Sequence, residues 1–587
     1  MKKIILLVYL IIAGNLFSQW SSNPGLNTTV CDLDNRQTFP KIVTTSDGGC
    51  YITWFDTRGN GQVKIYLQRL NGNGVKQFAS DGLLISDHPQ NSWFGDYDLK
   101  VDQSNNAIIV FSDKRGVIIT DTTVNPYAYK ISPTGQFLWG PNGVTLSNET
   151  NTYQMWPKCA VLTDGSVAFV WWYVYPQTRT TWIKMQRVSS AGVNQFAAPI
   201  DIQSPDGKRY QYPDVIASDN GNYIVSWVYG PKDTVGSFVP DNITLFCNKY
   251  NSSGATAWNT FPKTVFTGTG NRIPIYMVPK IISDQNNGIV LGYFHTTTNL
   301  IYSSVQRYNA AGIQAYTDNG VLLSTNSFRD HVDPAISYNP ASEETYGFFI
   351  DANAGTQSHQ AIYGQRISTS GIRMWSDSGF AFSVPAPNVS IFGIGCNIKD
   401  TNIVVTYATE LDKLPLRDFF HGFRVGPAGQ SIWGTVILSN VVSLKGYINT
   451  CMNSSGMTMA AWEDSRNTSS GGGGGLYAQN LKLDGTLGPV GIYVISSNIP
   501  ERFRLNQNYP NPFNPLTNLE FEIWKLGFVS LKVYDMIGEE VATLVNTNLN
   551  PGTYKYVFDA SGLTSGIYFY TLKTDNFSET KKMILVK

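Results

Sequence analysis

Short runs of alternating apolar and polar residues, each closed by a Gly/Asn/Asp turn, recur along the chain from about Phe39 to Gly485. A period of two predicts strands, and runs this short predict many of them. The first unit reads Phe39-Pro40-Lys41-Ile42, then the turn Ser46-Asp47-Gly48-Gly49, then a second strand ending on Trp54. That aromatic anchor recurs as Phe111, Trp171, Trp227, Tyr293, Phe349, Tyr407 and Trp462, at spacings of 57, 60, 56, 66, 56, 58 and 55. A third strand with an aromatic-x-Gln-Arg character (Tyr66 to Arg69, Tyr363 to Arg366) ends in a turn glycine: Gly74, Gly135, Gly192, Gly254, Gly312, Gly371, Gly429 and Gly485. A short fourth strand often follows Asp-Gly or Asn-Gly, as after Gly82 and Gly320.

Three markers in one register across eight units, with four strands per unit, predict an all-β, eight-bladed β-propeller over residues 19–496. A linear stack would show the same period, and a ring removes the exposed end faces of such a stack. Gly25 to Val30 resembles a fourth strand placed ahead of the first full unit, so it is a candidate to complete the last blade; Gly491 to Ser496 is the other.

After Ser496 the repeat stops. Residues 497–502 read as a linker, and 503–587 as a small Ig-like β-sandwich. This last part opens on the segment Phe503 to Pro515, which ends in Tyr509-Pro510-Asn511-Pro512-Phe513-Asn514-Pro515, whose three prolines exclude helix and central strand. Alternating strands follow over Leu519–Ile523, Val529–Tyr534, Val541–Leu544, Tyr554–Asp559, Gly566–Leu572 and Lys581–Val586, with turns at Asp535 to Gly538, Asn550-Pro551-Gly552 and Ser561-Gly562.

The front of the chain has a different pattern. Lys2 and Lys3 precede an apolar run from Ile4 to Ala13, too short to span a bilayer, and then a small residue at Ser18. This predicts a signal peptide over residues 1–18, cut between Ser18 and Gln19. No later segment has the length of apolar residues that a membrane helix needs, so no transmembrane segment is expected in the mature chain. Lys+Arg and Asp+Glu both total 43, so no net charge draws the protein to nucleic acid or to an anionic membrane. Six cysteines (Cys31, Cys50, Cys159, Cys247, Cys396, Cys451) lie far apart without C-x-x-C spacing, which argues against zinc or a redox motif. They read as small buried residues; if any pair bridges, Cys31–Cys50 and Cys396–Cys451 are the candidates.

The closing residues resemble a known family. Tyr-Pro-Asn-Pro-Phe-Asn-Pro, then Val533-Tyr534-Asp535-x-x-Gly538, Pro551-Gly552-x-Tyr554, Ser565-Gly566-Ile567-Tyr568 and a Lys-rich final strand are similar to the type A C-terminal sorting domain of the type IX secretion system, from Phe503 to Lys587. The resemblance implies passage through the inner membrane behind the signal peptide, then recognition by the type IX machinery at the outer membrane. It also implies a Gram-negative source of the Bacteroidota or a near relative, and a tail commonly cleaved as the cargo is released or fixed to surface lipopolysaccharide. A structural Ig-like module without a sorting role is the alternative for the same strands.

Candidate chemistry is thinner. An aromatic-x-Asp-x-Arg pattern follows the second strand as Trp54/Asp56/Arg58, Phe111/Asp113/Arg115 and Trp462/Asp464/Arg466, in blades one, two and eight, which are neighbours if the ring closes; blade six keeps only Asp351. The six Asp and Arg residues are the candidate ligand patch, for sugar or peptide; the competing reading is that each pair stabilises its own loop. Arg272-Ile273-Pro274 and Ser46-Asp47-Gly48-Gly49 echo sialidase motifs without their order. Asp330, Asp333, Glu343, Glu344 and Glu410 are available carboxylates for glycoside hydrolysis, though solvation is their default. The histidines (His88, His295, His331, His359, His421) have no metal-ligand spacing. Gly471 to Gly475 reads as a hairpin loop, and Asp32-Leu33-Asp34-Asn35 is a weak calcium candidate. No catalytic residue, metal or cofactor is expected from these patterns. The functional reading is a secreted or surface-held propeller that binds an extracellular polysaccharide, peptide or protein without catalysis. The alternatives are a carbohydrate-active or other hydrolase with its site on one propeller face, and a purely structural surface component.

Overall fold

The computed structural model describes residues 20–587, apart from 59–61, 89–95, 116–122, 176, 179, 232–242, 260–261, 269–271, 275–277, 412–416, 468–473, 489–490 and 561–562. The expected leader with its cut at Ser18–Gln19, the start of the five-glycine run and the Ser561-Gly562 turn therefore lie outside the described residues. Among the described residues the protein is all-β, with no α-helix and one short 3-10 turn at Asp219–Gly221. It divides into two compact units. The larger holds Ser22–Gly72 and Gln77–Gly488; the smaller holds Pro489–Lys587, Asn73–Lys76 and the described residues up to Ser21.

Among the described residues the larger unit consists of eight four-stranded antiparallel sheets. Seven are built from consecutive strands, as in Gln37–Thr44, Cys50–Asp56, Lys64–Leu70 and Leu83–Ser86. The first strand of each sheet packs on the first strand of the next, and Lys445–Met452 of the last packs back on Gln37–Thr44. The sheets thus follow one another in a cycle. In the last sheet Thr28–Cys31 pairs with Gly475–Leu481, with Thr28 opposite Ala478 and Cys31 opposite Leu476. The other candidate for that place, Ile492–Ser496, pairs instead with Gly552–Asp559 in the smaller unit. The repeat unit accordingly ends at Gly488, ahead of the expected boundary at Ser496. The alternation of Ile492 and Val494 fits either sheet edge, and only the available partner decides between them.

Contacts between neighbouring sheets explain the three repeat markers. The anchors Trp54, Phe111, Trp171, Trp227, Tyr293, Phe349 and Trp462 are fully buried, and Tyr407 nearly so. The third-strand glutamines tie down the loop to the fourth strand: Gln186 Nε2 donates to the Phe196 carbonyl at 3.0 Å while its Oε1 accepts the Phe196 N–H at 3.0 Å. Gln68 and Gln365 make equivalent bonds. The following arginine reaches the next sheet, as Arg187 does to the Ser252 carbonyl (3.1 Å), Arg366 to Pro427 (3.0 Å) and Arg424 to Leu483 (2.7 Å). All eight turn glycines have positive φ, from +75° to +86°. Several abut an aromatic ring of the preceding sheet, so both the backbone and the space require glycine.

None of the six cysteines is bridged, so neither Cys31–Cys50 nor Cys396–Cys451 forms. Four are buried and two half-buried, filling the core as small apolar groups, and burial pushes the Cys396 thiol up to about 12.

The smaller unit has two four-stranded sheets. One is ordered Ile492–Ser496, Gly552–Asp559, Leu516–Ile523, Arg504–Leu505, and the other Glu540–Leu549, Gly527–Tyr534, Gly566–Thr574, Phe577–Leu585. Strict alternation sends Leu519, Phe521 and Ile523 of one sheet, and Val529, Leu531 and Val533 of the other, into one shared core. Each such side chain contributes about 2 kcal/mol on burial, which makes that alternation the main determinant of strand register here.

Candidate functional site

The three Asp/Arg loops sit on three consecutive sheets of the cycle, at the same end of the second strand. In each, the aspartate caps its own loop. Asp56 accepts the Trp54 indole N–H at 2.9 Å and the Arg58 backbone N–H at 2.8 Å, and its carboxylate also pairs with the Arg58 guanidinium. Asp464 repeats this with Trp462 (2.9 Å) and the Arg466 N–H (3.0 Å), and Asp113 with the Arg115 N–H (3.0 Å). The guanidiniums lie on third-strand tyrosines, Arg58 on Tyr66 (3.9 Å), Arg115 on Tyr127 (3.6 Å) and Arg466 on Tyr477 (3.7 Å). Their remaining bonds go to neighbouring groups of the protein: Arg58 to the Asp81 carbonyl and Cys31 Sγ, Arg115 to the Asn142 carbonyl and the Tyr129 hydroxyl, and Arg466 to Asn27 Oδ1. All three carboxylates are buried and engaged. Asp351 of the sixth unit keeps the place but pairs with Arg329, at 2.5 Å.

Beside Asp464 lies a buried ionic centre that no sequence motif announces. The side chains of Lys445 and Asp464 are both 0% exposed, 3.6 Å apart. The Lys445 ammonium also donates to the Asp418 and Val441 carbonyls (3.0 and 2.8 Å) and to Ser443 Oγ (2.9 Å). Burial raises the Asp464 pKa, but Arg466 and Lys445 outweigh it and hold the carboxyl below its usual range. Asp418 differs. Its Oδ2 accepts the Lys445 backbone N–H at 2.6 Å, its Oδ1 is buried without a partner, and burial pushes the carboxyl up to about 6, with Glu410 and Asp464 adding repulsion.

This gives a pH prediction. The unfolded Asp418 titrates near 3.8, so between about 4 and about 6 the native state holds more protons than the unfolded one, and stability falls as pH rises through that window. Asp418→Asn cannot ionise. Urea unfolding at pH 4 and pH 7 should show the variant gaining about 2 kcal/mol on the wild type between the two. A constant difference would assign Asp418 an ordinary pKa.

A second charged group spans the first strands of neighbouring sheets. Asp96 pairs with Lys41 (2.8 Å) and Lys158, and Asp98 pairs with Lys100 (2.8 Å) and accepts the Cys159 N–H (3.1 Å). Asp214 lies near Lys158 and Lys100, and burial pushes its carboxyl up. The Lys158–Asp96 partners are 62 residues apart in sequence, which is why strand-by-strand reading misses the group. Nearby, six of the eight first strands carry a bulge among the described residues, the exceptions being Asp98–Val101 and Lys280–Ser283. The bulged residues Phe39, Trp156, Tyr212, Asp333 and Tyr447 have φ of +54°, +59°, +51°, +51° and +49°. Tyr212 contacts Trp156 (5.3 Å) and Trp172 (5.1 Å), and Phe39 stacks on Tyr447 at 3.7 Å.

The remaining sequence candidates do not converge. Asp330 accepts the Ile301 and Gly355 backbone N–H groups at 3.0 Å each, Glu343 and Glu344 pair with Arg307 and Arg366, and Asp47 pairs with Arg69. Glu410 is half-buried beside Asp418. Asp32 accepts the Tyr477 hydroxyl at 2.7 Å, which makes it a structural group of the closing strand. Arg272 forms a backbone bridge to Thr296. His295 is buried and His421 half-buried, each pushed down to about 4 by desolvation; His331 is buried beside Asp351, while His88 and His359 lie in other loops.

In the smaller unit the Pro-rich segment is tied to the final strand. The Phe513 N–H donates to the Ile584 carbonyl and the Val586 N–H to the Phe513 carbonyl, both at 3.0 Å, and Asn511 Oδ1 accepts the Ile584 N–H at 2.9 Å. Phe513 is 2% exposed and packs near Phe558. Asn508 is the hub: its N–H donates to the Tyr570 hydroxyl (2.7 Å), and its amide donates to the Pro510 carbonyl and Thr517 Oγ1 (3.0 Å each). Pro515 supplies a carbonyl to the Ala560 N–H, and Asn514 is exposed. Tyr509 projects outward, 78% exposed, and Pro510, Asn511 and Pro512 are exposed beside it.

The chain is thus an all-β protein with a repeat unit and a tail whose Pro-rich motif is braced from behind and open in front. Residues 507–587 match the family described as a secretion system C-terminal sorting domain, so the tail belongs to the type IX sorting family that its motifs resemble. Such a tail marks its protein for export to the cell surface or the extracellular space. No helix among the described residues is long and apolar enough to cross a membrane. No curated protein matches the chain. Similar solved structures include a protein of unknown function from Dyadobacter fermentans, 11% identical over 57% of this chain and 96% of that one, TM-score 0.32. A polysaccharide lyase is 11% identical over 78% and 100%, TM-score 0.42. An α-L-arabinofuranosidase from Fusarium graminearum is 13% identical over 57% and 94%, TM-score 0.32. At these scores the likenesses assign no activity to this chain.

Proposed function

We propose that the protein is a secreted or surface-held binding protein, delivered by the type IX machinery. Its signal peptide is residues 1–18, its larger unit an eight-bladed β-propeller and its tail an Ig-like sandwich. The propeller holds an extracellular polysaccharide, peptide or protein without catalysis. The observation that carries the export reading is the sorting-family match over residues 507–587. The binding reading is supported by the bulged first-strand ends, where aromatic rings gather on two adjacent pairs of strands, Phe39 with Tyr447 and Trp156 with Tyr212. The loops bearing Asp56/Arg58, Asp113/Arg115 and Asp464/Arg466 frame that end, their pairs setting loop shape rather than contacting ligand. Binding is favoured over hydrolysis because Asp330, Glu343 and Glu344 are engaged in separate contacts and do not meet as a pair.

Deleting Phe503–Lys587 tests the route. The truncated protein is expected to accumulate in the periplasm, read by fractionation and immunoblotting, while the full chain reaches the surface or the medium. Continued appearance of the truncated chain outside the cell would overturn the assignment.

A further inference from the structure

The tip of a tight hairpin turn faces water, and the residues that shape it are normally polar. Hairpins of the larger unit follow that rule, with Ser46-Asp47-Gly48 and Asn453 to Gly456 at two of their turns. The smaller unit breaks it between Gly527–Tyr534 and Glu540–Leu549, where the tip is Met536-Ile537, 70% and 86% exposed. Neither side chain shapes the turn. Asp535 Oδ1 accepts the Ile537 and Glu539 N–H groups at 3.0 and 2.9 Å, and the Gly538 N–H donates to the Asp535 carbonyl at 3.2 Å. Neither belongs to the core shared by the two sheets. In the motif Val533-Tyr534-Asp535-x-x-Gly538 they are the two positions left open, so the family resemblance assigns them no role.

Strand register places this tip. Tyr534 lies opposite Phe569, three residues from Gly566, which lies opposite Leu585, and Leu585 bridges to Phe513. On the other sheet, Leu516 begins its strand and Tyr509 bridges to Asn518. The Pro-rich sorting motif therefore closes the same end of the sandwich at which the Met536-Ile537 turn projects. Tyr509 and Leu516 are exposed at that end as well. At the opposite end, in the turn from Trp524 to Leu526, Trp524 packs edge-on against Phe503 at 6.1 Å, so that ring has a partner within the unit.

Large apolar groups left exposed together at one end mark an interaction surface. The partner follows from the family: a sorting tail is read by the secretion machinery, and the open part of the sorting motif lies at this end. We propose that Met536 and Ile537 are a docking contact of the tail, entering an apolar groove of the type IX machinery alongside the exposed stretch from Tyr509 to Pro512. The inference rests on the reading of the tail as a sorting signal and deepens it.

Export of the full precursor from cells carrying the machinery tests it, read as the fraction of protein at the surface or in the medium. Met536→Ser with Ile537→Ser is expected to lower that fraction about tenfold and leave the remainder in the periplasm, since losing the burial of two such side chains weakens binding by about that factor or more. Met536→Leu with Ile537→Val keeps the tip apolar and should be exported as the wild type. Leu526→Ser, at the opposite end, should be exported normally too. The serine pair should not change the melting temperature of the purified chain, because the turn's hydrogen bonds come from Asp535 and Gly538. Normal export of the serine pair overturns the proposal, as does an equal defect in Leu526→Ser. A lowered melting temperature would make the two residues structural and overturn it also. The Phe503–Lys587 deletion separates this contact from the broader reading. If the deletion stays in the periplasm while the serine pair is exported, the contact falls and the sorting role stands; if the deletion is itself exported, the sorting role falls.

Discussion

Replacing Asp464 with alanine is expected to destabilise the larger unit by about 4 kcal/mol, since removing one partner of a buried ion pair strands the other. Here the stranded group is Lys445, whose side chain is wholly buried and whose pKa burial already lowers. The same change removes the acceptor for the Trp462 indole N–H and for the Arg466 N–H and guanidinium, so the loop loses its cap as well. Asp56→Ala removes an equivalent cap, but its cation, Arg58, keeps access to water and a bond to the Asp81 carbonyl, so its cost should be about 2 kcal/mol. Urea unfolding measures both. The decisive measurement is the double variant Asp464→Ala, Lys445→Met: taking the stranded ammonium out should recover part of the loss. Equal losses for the two single variants, or no recovery in the double, would show that Lys445 is not the source of the cost.

Gly312→Ala should cost about 3 kcal/mol. At φ +75° an L side chain is strained by about 1 kcal/mol or more, and a Cβ there would stand 2.6 Å from the Trp258 ring. Trp258 cannot swing away freely, because its indole N–H donates to the Ala310 carbonyl of that same turn at 3.0 Å. Overpacking of this kind adds one to three kcal/mol. Gly140→Ala is the control: φ is +84°, but nothing lies within 4 Å of the added methyl, so only the backbone term of about 1 kcal/mol applies. A difference of about 2 kcal/mol between the variants in thermal or urea unfolding would confirm that the turn glycine is a contact residue between sheets. Equal effects would reduce it to a turn requirement.

These two sites also mark how far the sequence could be read. The repeat was visible because its markers are local: a glycine at a left-handed turn, an aromatic residue at a strand end, a glutamine beside it. Their purpose was not visible, because the ring beside Gly312 and the carbonyl that receives Arg366 lie on neighbouring units, 54 and 61 residues away. The Asp/Arg pairs were found for the same local reason, being two residues apart. Lys445, Asp418 and Asp464 come from three separate strands, and a lone lysine in an apolar run carries no mark of its partners. Ile492–Ser496 shows the limit of alternation: the pattern identifies a strand, not the sheet that takes it. The sorting motif was legible in full, yet the division between its braced part (Asn508, Phe513) and its open part (Tyr509) needed coordinates.

The pairing of Thr28–Cys31 with Gly475–Leu481 sets the order of assembly. Seven sheets can form from contiguous stretches as the polypeptide arrives, but the eighth waits, because its outer strand belongs to the opposite end of the unit. Until the two meet, Gly475–Leu481 presents a bare edge of backbone donors and acceptors, open to any other chain that offers a strand. The earliest-made strand of the unit is therefore also the one that completes its last sheet.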